Sequence, residues 1–202
     1  MKTKAILFTL LTGILLAVLN SCNLVVIAGI RGNGDVICQE RAASDFHGVI
    51  LDGVGDVKIH FAEDYRVTVT TDSNIQDIVT IKSHGNNLHI GTSENAWFNT
   101  TKLAIDVYLP ELRGLELKGA GNIGVTGGEV SDLKMELSGV GNIDAQSFEV
   151  ENVNITLSGV GDIKTWATKN LTGKISGVGD IFYKGNPVIN VNTNITGAIR
   201  KL

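Results

Sequence analysis

Gly119-Ala120-Gly121-Asn122-Ile123-Gly124 satisfies the G-x-G-x-x-G spacing that brings glycine backbones against a pyrophosphate. That chemistry needs a helix to open directly after the turn. Val125-Thr126-Gly127-Gly128 starts none, and sister segments repeat without the third glycine, so nucleotide binding is rejected and no cofactor is expected. The calcium nonapeptide repeat is a nearer rival. There the Asp stands two places after the last glycine with a period of nine, whereas here Asp or Asn is adjacent and the period is twice as long. If successive repeats stack, Asn122, Asn142, Asp162 and Asp180 form a ladder in which Asp162 and Asp180 repel or bind a cation. The plainer reading is that these are turn residues bonding their own backbone, since an amide serves a turn well and a hard cation poorly.

Other candidates are thinner. Trp97 and Phe98 form an aromatic pair in a polar stretch, a candidate sugar-stacking platform if the fold brings Tyr65 or Tyr108 near; a ring capping the core is the alternative, and Trp166 shares the ambiguity. His84 and His89 flank an expected hairpin, five residues apart and hence on opposite faces of an ideal strand, with no third ligand for a metal. Cys38 reads as a small hydrophobe in a strand. No pair of carboxylates stands out for acid–base work, so no catalytic residue is assigned and the chain is read as a non-enzyme.

The elements that position these residues come from an internal repeat. The pentads are Gly32-Asn33-Gly34-Asp35-Val36, Gly53-Val54-Gly55-Asp56-Val57, Gly119-Ala120-Gly121-Asn122-Ile123, Gly139-Val140-Gly141-Asn142-Ile143, Gly159-Val160-Gly161-Asp162-Ile163 and Gly177-Val178-Gly179-Asp180-Ile181, with a worn remnant at Gly197-Ala198-Ile199. The last four are spaced by 20, 20 and 18 residues, and alternating apolar residues such as Leu133, Met135 and Leu137 precede them. The expected fold is all-β: a right-handed β-solenoid-like repeat of about 20 residues per coil, with an antiparallel β-meander or sandwich as the alternative. Identical residues at matched positions (Val140, Val160, Val178) favour direct stacking. The 66-residue gap from Gly53 to Gly119 equals about three periods of 22, so coils are expected to continue there with altered turns. Residues 91–101 are expected to protrude as a loop.

Residues 1–21 read as a lipoprotein signal peptide: Lys2 and Lys4, an uncharged run from Ala5 to Leu19, then Leu19-Asn20-Ser21-Cys22. Cys22 is the expected lipidation site, 22–30 the lipidated tether and 31–202 the folded domain. Removing residues 1–21 takes two lysines and no acids, leaving 15 basic against 21 acidic residues and a formal charge of −6. That sign repels phosphate backbones and excludes nucleic acid as a partner.

Arg31-Gly32-Asn33-Gly34-Asp35-Val36, Ser44-Asp45-Phe46-His47-Gly48-Val49, the Gly53 pentad, Leu109-Pro110-Glu111-Leu112 and the later pentads together resemble the putative auto-transporter adhesin head GIN domain family over roughly residues 31–202. The resemblance implies a glycine-rich β-solenoid-like domain common in lipoproteins of Bacteroidetes-type bacteria, with no established biochemical activity. Surface lipoproteins of such bacteria usually carry an acidic run after the lipidated cysteine. Asn23-Leu24-Val25-Val26-Ile27 has none, which favours a periplasm-facing outer-membrane lipoprotein over cell-surface display. The expected function is an envelope-anchored, non-catalytic binding or adhesin-like domain for glycans or other envelope proteins. The alternatives are a structural or stress-response lipoprotein without a small ligand and a polysaccharide-active solenoid enzyme.

Overall fold

The computed structural model describes residues 29–93 and 97–202. The expected signal peptide, Cys22 and residues 23–28 of the expected tether lie outside the described residues. The fold is all-β: one sheet of fifteen strands, plus a two-stranded parallel pair, Ile30–Arg31 with Phe98–Asn99. The one helical element among the described residues is a single 3-10 turn, Gln76–Ile78.

Each repeat contributes two runs of strand, one before its pentad and one beginning inside it. The runs beginning in the pentads pair in parallel: Ala120 lies opposite both Val54 and Val140, and isolated bridges carry the pairing on to Val160 and Val178. The preceding runs do the same, with Leu51, Leu117, Leu137, Leu157 and Ile175 as successive neighbours. Residues 20 or 18 apart are therefore direct partners across strands. Alternate side chains of both runs (Ile123, Ile143, Ile163 and Ile181 from one, the leucine series from the other) are buried in a single apolar cluster. The change of period from 20 to 18 is absorbed where Val140–Leu157 meets Ile163–Ile175. The register shifts there between Ala145 and Asn152, at the bend between the two runs.

Both glycines of the pentad are dictated by the repeat before. A Cβ on Gly139 would sit 2.0 Å from the Gly119 carbonyl oxygen, and one on Gly141 would sit 1.7 Å from that of Gly121, where φ is also +136°. No side chain fits either place, and only glycine adopts the second conformation without strain. The residue between them has nowhere to point but outward: Val140, Val160 and Val178 are exposed. Its N–H donates to the preceding repeat's first glycine, as Val140 N does to Gly119 O at 2.9 Å.

Two expectations are corrected. No extra coils fill residues 62–113, because the Gly53 pentad stacks directly on the Gly119 pentad despite an offset of 66 residues in sequence. The intervening chain closes the end of the stack instead. Leu103–Leu109 and Asn87–Thr92 each add one parallel strand; then Arg66–Asp72, Val36–Arg41 and Val79–His84 pair antiparallel. Their free edges carry Glu40, Arg41, Lys82 and His84, charged or polar residues of the kind that blunt strand-to-strand aggregation. Second, the Gly32 pentad is not a rung of the stack. It wraps around the buried Asp72, whose carboxylate accepts N–H bonds from Gly34 (2.7 Å) and Thr101 (2.7 Å) and the Thr100 hydroxyl bond (2.6 Å). Within the stretch expected to loop out, Phe98–Asn99 pairs with Ile30–Arg31, while residues 94–96 lie outside the described residues.

Gly141→Ala is expected to destabilise the domain by more than about 3 kcal/mol or to abolish soluble expression, because strain and backbone overlap act together. Val140→Thr, one residue away but exposed, should stay within about 0.5 kcal/mol in the same denaturant titration. The Thr165 hydroxyl is fully buried without a hydrogen-bond partner, beside Ala145 and Tyr183. Thr165→Val should therefore raise stability by about 1 kcal/mol, seen as a higher urea midpoint at unchanged slope. The hydrogen bonds from Thr100, Thr101 and Gly34 hold Asp72 down to a pKa of about 2. Its stabilising effect is present above the unfolded-state value near ~3.9 and is lost as pH falls through about 2. Melting temperatures followed from pH 5 to pH 2 should fall less steeply for Asp72→Asn, from a lower starting value; an unchanged slope would contradict this assignment.

Candidate binding surfaces

The Asp and Asn of the pentads bond the neighbouring repeat and not, as expected from turn chemistry, their own backbone. Asn122 N–H and its side-chain amide both donate to Asp56 Oδ1 (3.1 and 2.8 Å), and Asn142 repeats the arrangement on Asn122 Oδ1 (3.2 and 3.0 Å). Asp162 N–H then donates to Asn142 Oδ1 (3.0 Å), Asp180 N–H to Asp162 Oδ1 (2.8 Å) and Ala198 N–H to Asp180 Oδ1 (2.8 Å). The Oδ1 atom of each of these five residues, from Asp56 to Asp180, is thus already accepting a backbone N–H from the next rung. Arg200 Nε, 2.6 Å from Asp180 Oδ2, offsets the charge of the adjacent acids, and this bond with the Ala198 N–H holds Asp180 below the usual carboxylate range. Among the described residues no group of three or more His, Cys, Asp or Glu is arranged to hold a metal ion. The G-x-G-x-x-G segment runs from Gly119 into the strand Ala120–Thr126, with no helix N-terminus to face a phosphate.

The aromatic residues are not gathered. Trp97 is two-thirds exposed and Phe98 partly buried in the two-stranded pair. Tyr65 packs on Phe46 with ring centroids 4.9 Å apart. Tyr108 stacks on His60 at 4.8 Å and lies 4.0 Å beneath the Arg66 guanidinium, so its faces are already in use. Trp166 is partly buried, with Lys184 Nζ 5.9 Å from its ring. His84 and His89 do not sit on opposite faces. The hairpin folds one strand onto the other and brings the rings within 6.2 Å, with His89 Nδ1 2.9 Å from Asp52 Oδ2. Cys38 is exposed on its edge strand, so it does not act as a core hydrophobe.

Two surfaces emerge that single-residue reasoning missed. The first is a polar groove of about 860 Å³ over the leucine-series runs, bounded by the turn at residues 110–113 and floored by Asp132, Asn152, Asn154 and Asn170. Within it Asn152 Nδ2 donates to Asp132 Oδ1 (3.1 Å) and Asn170 Nδ2 to Asn152 Oδ1 (2.8 Å), a second side-chain ladder. Its spacing of 20 and 18 residues equals that of the pentads, and this is the sequence signal that could have found it. Arg113 and Glu111 form an ion pair at the rim (2.6 Å), which holds the Glu111 carboxyl below its ordinary range. The second surface is an apolar ridge of Val54, Ala120, Val140, Val160 and Val178, four strand spacings or roughly 19 Å long.

Comparison with known proteins gives one family and several structures. The profile of the family described as putative auto-transporter adhesin, head GIN domain, matches residues 45–127 and 120–187. No curated protein matches the chain. The crystal structure of a putative adhesin from Bacteroides fragilis NCTC 9343 superposes with a TM-score of 0.60 at 21% identity, covering 86% of this chain and 100% of that one. A putative adhesin from Parabacteroides merdae ATCC 43184 gives 0.43 at 20% identity over 86% and 99%. A putative lipid binding protein from Parabacteroides distasonis ATCC 8503 gives 0.40 at 21% identity over 86% and 99%. No helix among the described residues is long and apolar enough to cross a membrane, which leaves β-barrel spanning unaddressed. With both profile matches falling on the pentad repeats and their cap, the chain belongs to the putative auto-transporter adhesin, head GIN domain, family.

Proposed function

We propose that the chain is an envelope-anchored, non-catalytic lipoprotein whose folded part is a right-handed β-solenoid-like rod of about 20 residues per coil, with the polar groove as its adhesin-like binding face for glycan. Parallel pairing at offsets of 20, 20 and 18 residues supports the rod, and parallel crossovers are right-handed in nearly all known cases. The observation that carries the ligand class is the Asp132–Asn152–Asn170 ladder. It sets amide groups at intervals of ~4.8 Å along a rigid floor, and each amide keeps hydrogen-bonding capacity beyond the bond it makes within the ladder. A hydroxyl-rich chain with a repeat near that length meets such a row at several points. A general acid for glycan cleavage needs its pKa raised, whereas Glu111, one of three acids lining the groove with Glu129 and Asp132, is ion-paired with Arg113 and held low. Attachment runs through a lipid on Cys22, and the absence of acidic residues at positions 23–28 favours a periplasm-facing position in the outer membrane.

A glycan array with the mature domain should return binders. For one of them, Asn152→Ala should weaken affinity about three- to tenfold in calorimetric titration while leaving the melting temperature near that of the parent. Absence of any glycan binder, together with specific co-purification of one envelope protein, would transfer the face to a protein partner.

A further inference from the structure

The chain enters the described fold at Gly29, and its first strand does not join the main sheet. Ile30–Arg31 pairs with Phe98–Asn99 alone, through Ile30 N–H to Trp97 O (2.7 Å) and Gly32 N–H to Asn99 O (2.7 Å). An isolated two-stranded pair is marginal by itself. This one is pinned from both sides: Asn74 Nδ2 donates to Arg31 O (2.8 Å), and Asp72 binds Gly34 on one arm and Thr100 and Thr101 on the other. Trp97 is 66% exposed and Ile30 46% exposed on this fixed tab, with Val36 at 38% in the strand that follows. A large aromatic set out in water from a hydrogen-bonded backbone is a feature of surfaces that meet something apolar.

We propose that Trp97 and Ile30 seat this end of the domain on the bilayer to which Cys22 is attached, an inference that rests on the lipoprotein reading. The short stretch of chain back to Cys22 selects the bilayer as occupant. Six residues separate Cys22 from Gly29, a reach of at most about 25 Å fully extended, and these residues (Asn-Leu-Val-Val-Ile-Ala) carry no charge. Whatever length that leash takes, the tab is the part of the described fold nearest in sequence to the lipid. Arg31 directly follows Ile30, while the other charges of the neighbouring stretches, Lys102 and the acidic Asp35 and Glu94, are mixed in sign. Indole seeks the interface between headgroups and acyl chains. The lipid supplies attachment; the patch fixes orientation, with the closed end of the stack towards the membrane.

The test uses the full lipidated protein reconstituted into phosphatidylethanolamine–phosphatidylglycerol vesicles. Trp97 and Trp166 are the chain's two tryptophans, so Trp166→Phe isolates the Trp97 signal. The expected result is a blue shift of Trp97 emission on reconstitution and loss of about half its intensity when the phospholipid carries bromine near the top of the acyl chain. Should Trp166→Phe fold poorly, the difference between parent and Trp97→Phe spectra reports the same quantity, and Trp97→Phe alone should show no shift. Emission and acrylamide quenching equal to those of a soluble form without Cys22, in a sample whose mass shows diacylated Cys22, would overturn the seating and leave the lipoprotein reading intact. A mass showing unmodified Cys22 would overturn both.

Discussion

A glycine carbonyl in each repeat occupies the space where a side chain of the next repeat would begin, and the rest of the fold follows from that contact. With Cβ positions only 1.7–2.1 Å from the oxygen before them at Gly119, Gly121, Gly139, Gly141, Gly159 and Gly161, neighbouring strands approach without side chains between them. The residue caught between two such glycines is turned outward, which is why valines form an exposed ridge. The residue after them must carry a short side-chain oxygen that reaches the next backbone N–H. Asp and Asn both do this, so their exchange along the ladder is tolerated, and Arg200 offsets charge where Asp162 and Asp180 stand side by side.

The closed end works by a different interaction. Antiparallel strands turn the chain back and end the parallel series, and their edges carry charge where an apolar edge would recruit another sheet. Asp72 ties this region to the tab by accepting hydrogen bonds from segments on both sides of it in sequence. One carboxylate thereby couples the geometry of the tab to the integrity of the cap.

The all-β class, the pentads and the family are legible from residue order because glycine at fixed offsets and period-two burial are local signals. What escapes is pairing at a distance. The Gly53 and Gly32 pentads have the same local pattern, yet one joins the stack and the other wraps Asp72, because only the first is followed by an apolar run of the right length (Val57, Ile59) to join the core. Likewise the spacing of 66 divides evenly by a plausible repeat and still spans an insertion. His84 and His89 illustrate the same limit: their separation counts differently once a hairpin intervenes. The groove escapes for another reason. Asp132, Asn152 and Asn170 are unremarkable singly, and their meaning lies in sharing the pentads' period on the other run.

The side-chain ladder also has a direction. Each rung from Asp56 to Asp180 receives an N–H from the rung after it, so every repeat prepares the landing place of its successor. Ala198 donates its N–H to Asp180 Oδ1 and has no side-chain oxygen to offer onward. Along this row the side-chain relay therefore ends on a methyl group, and a rung laid upon it would have to find another acceptor for its N–H.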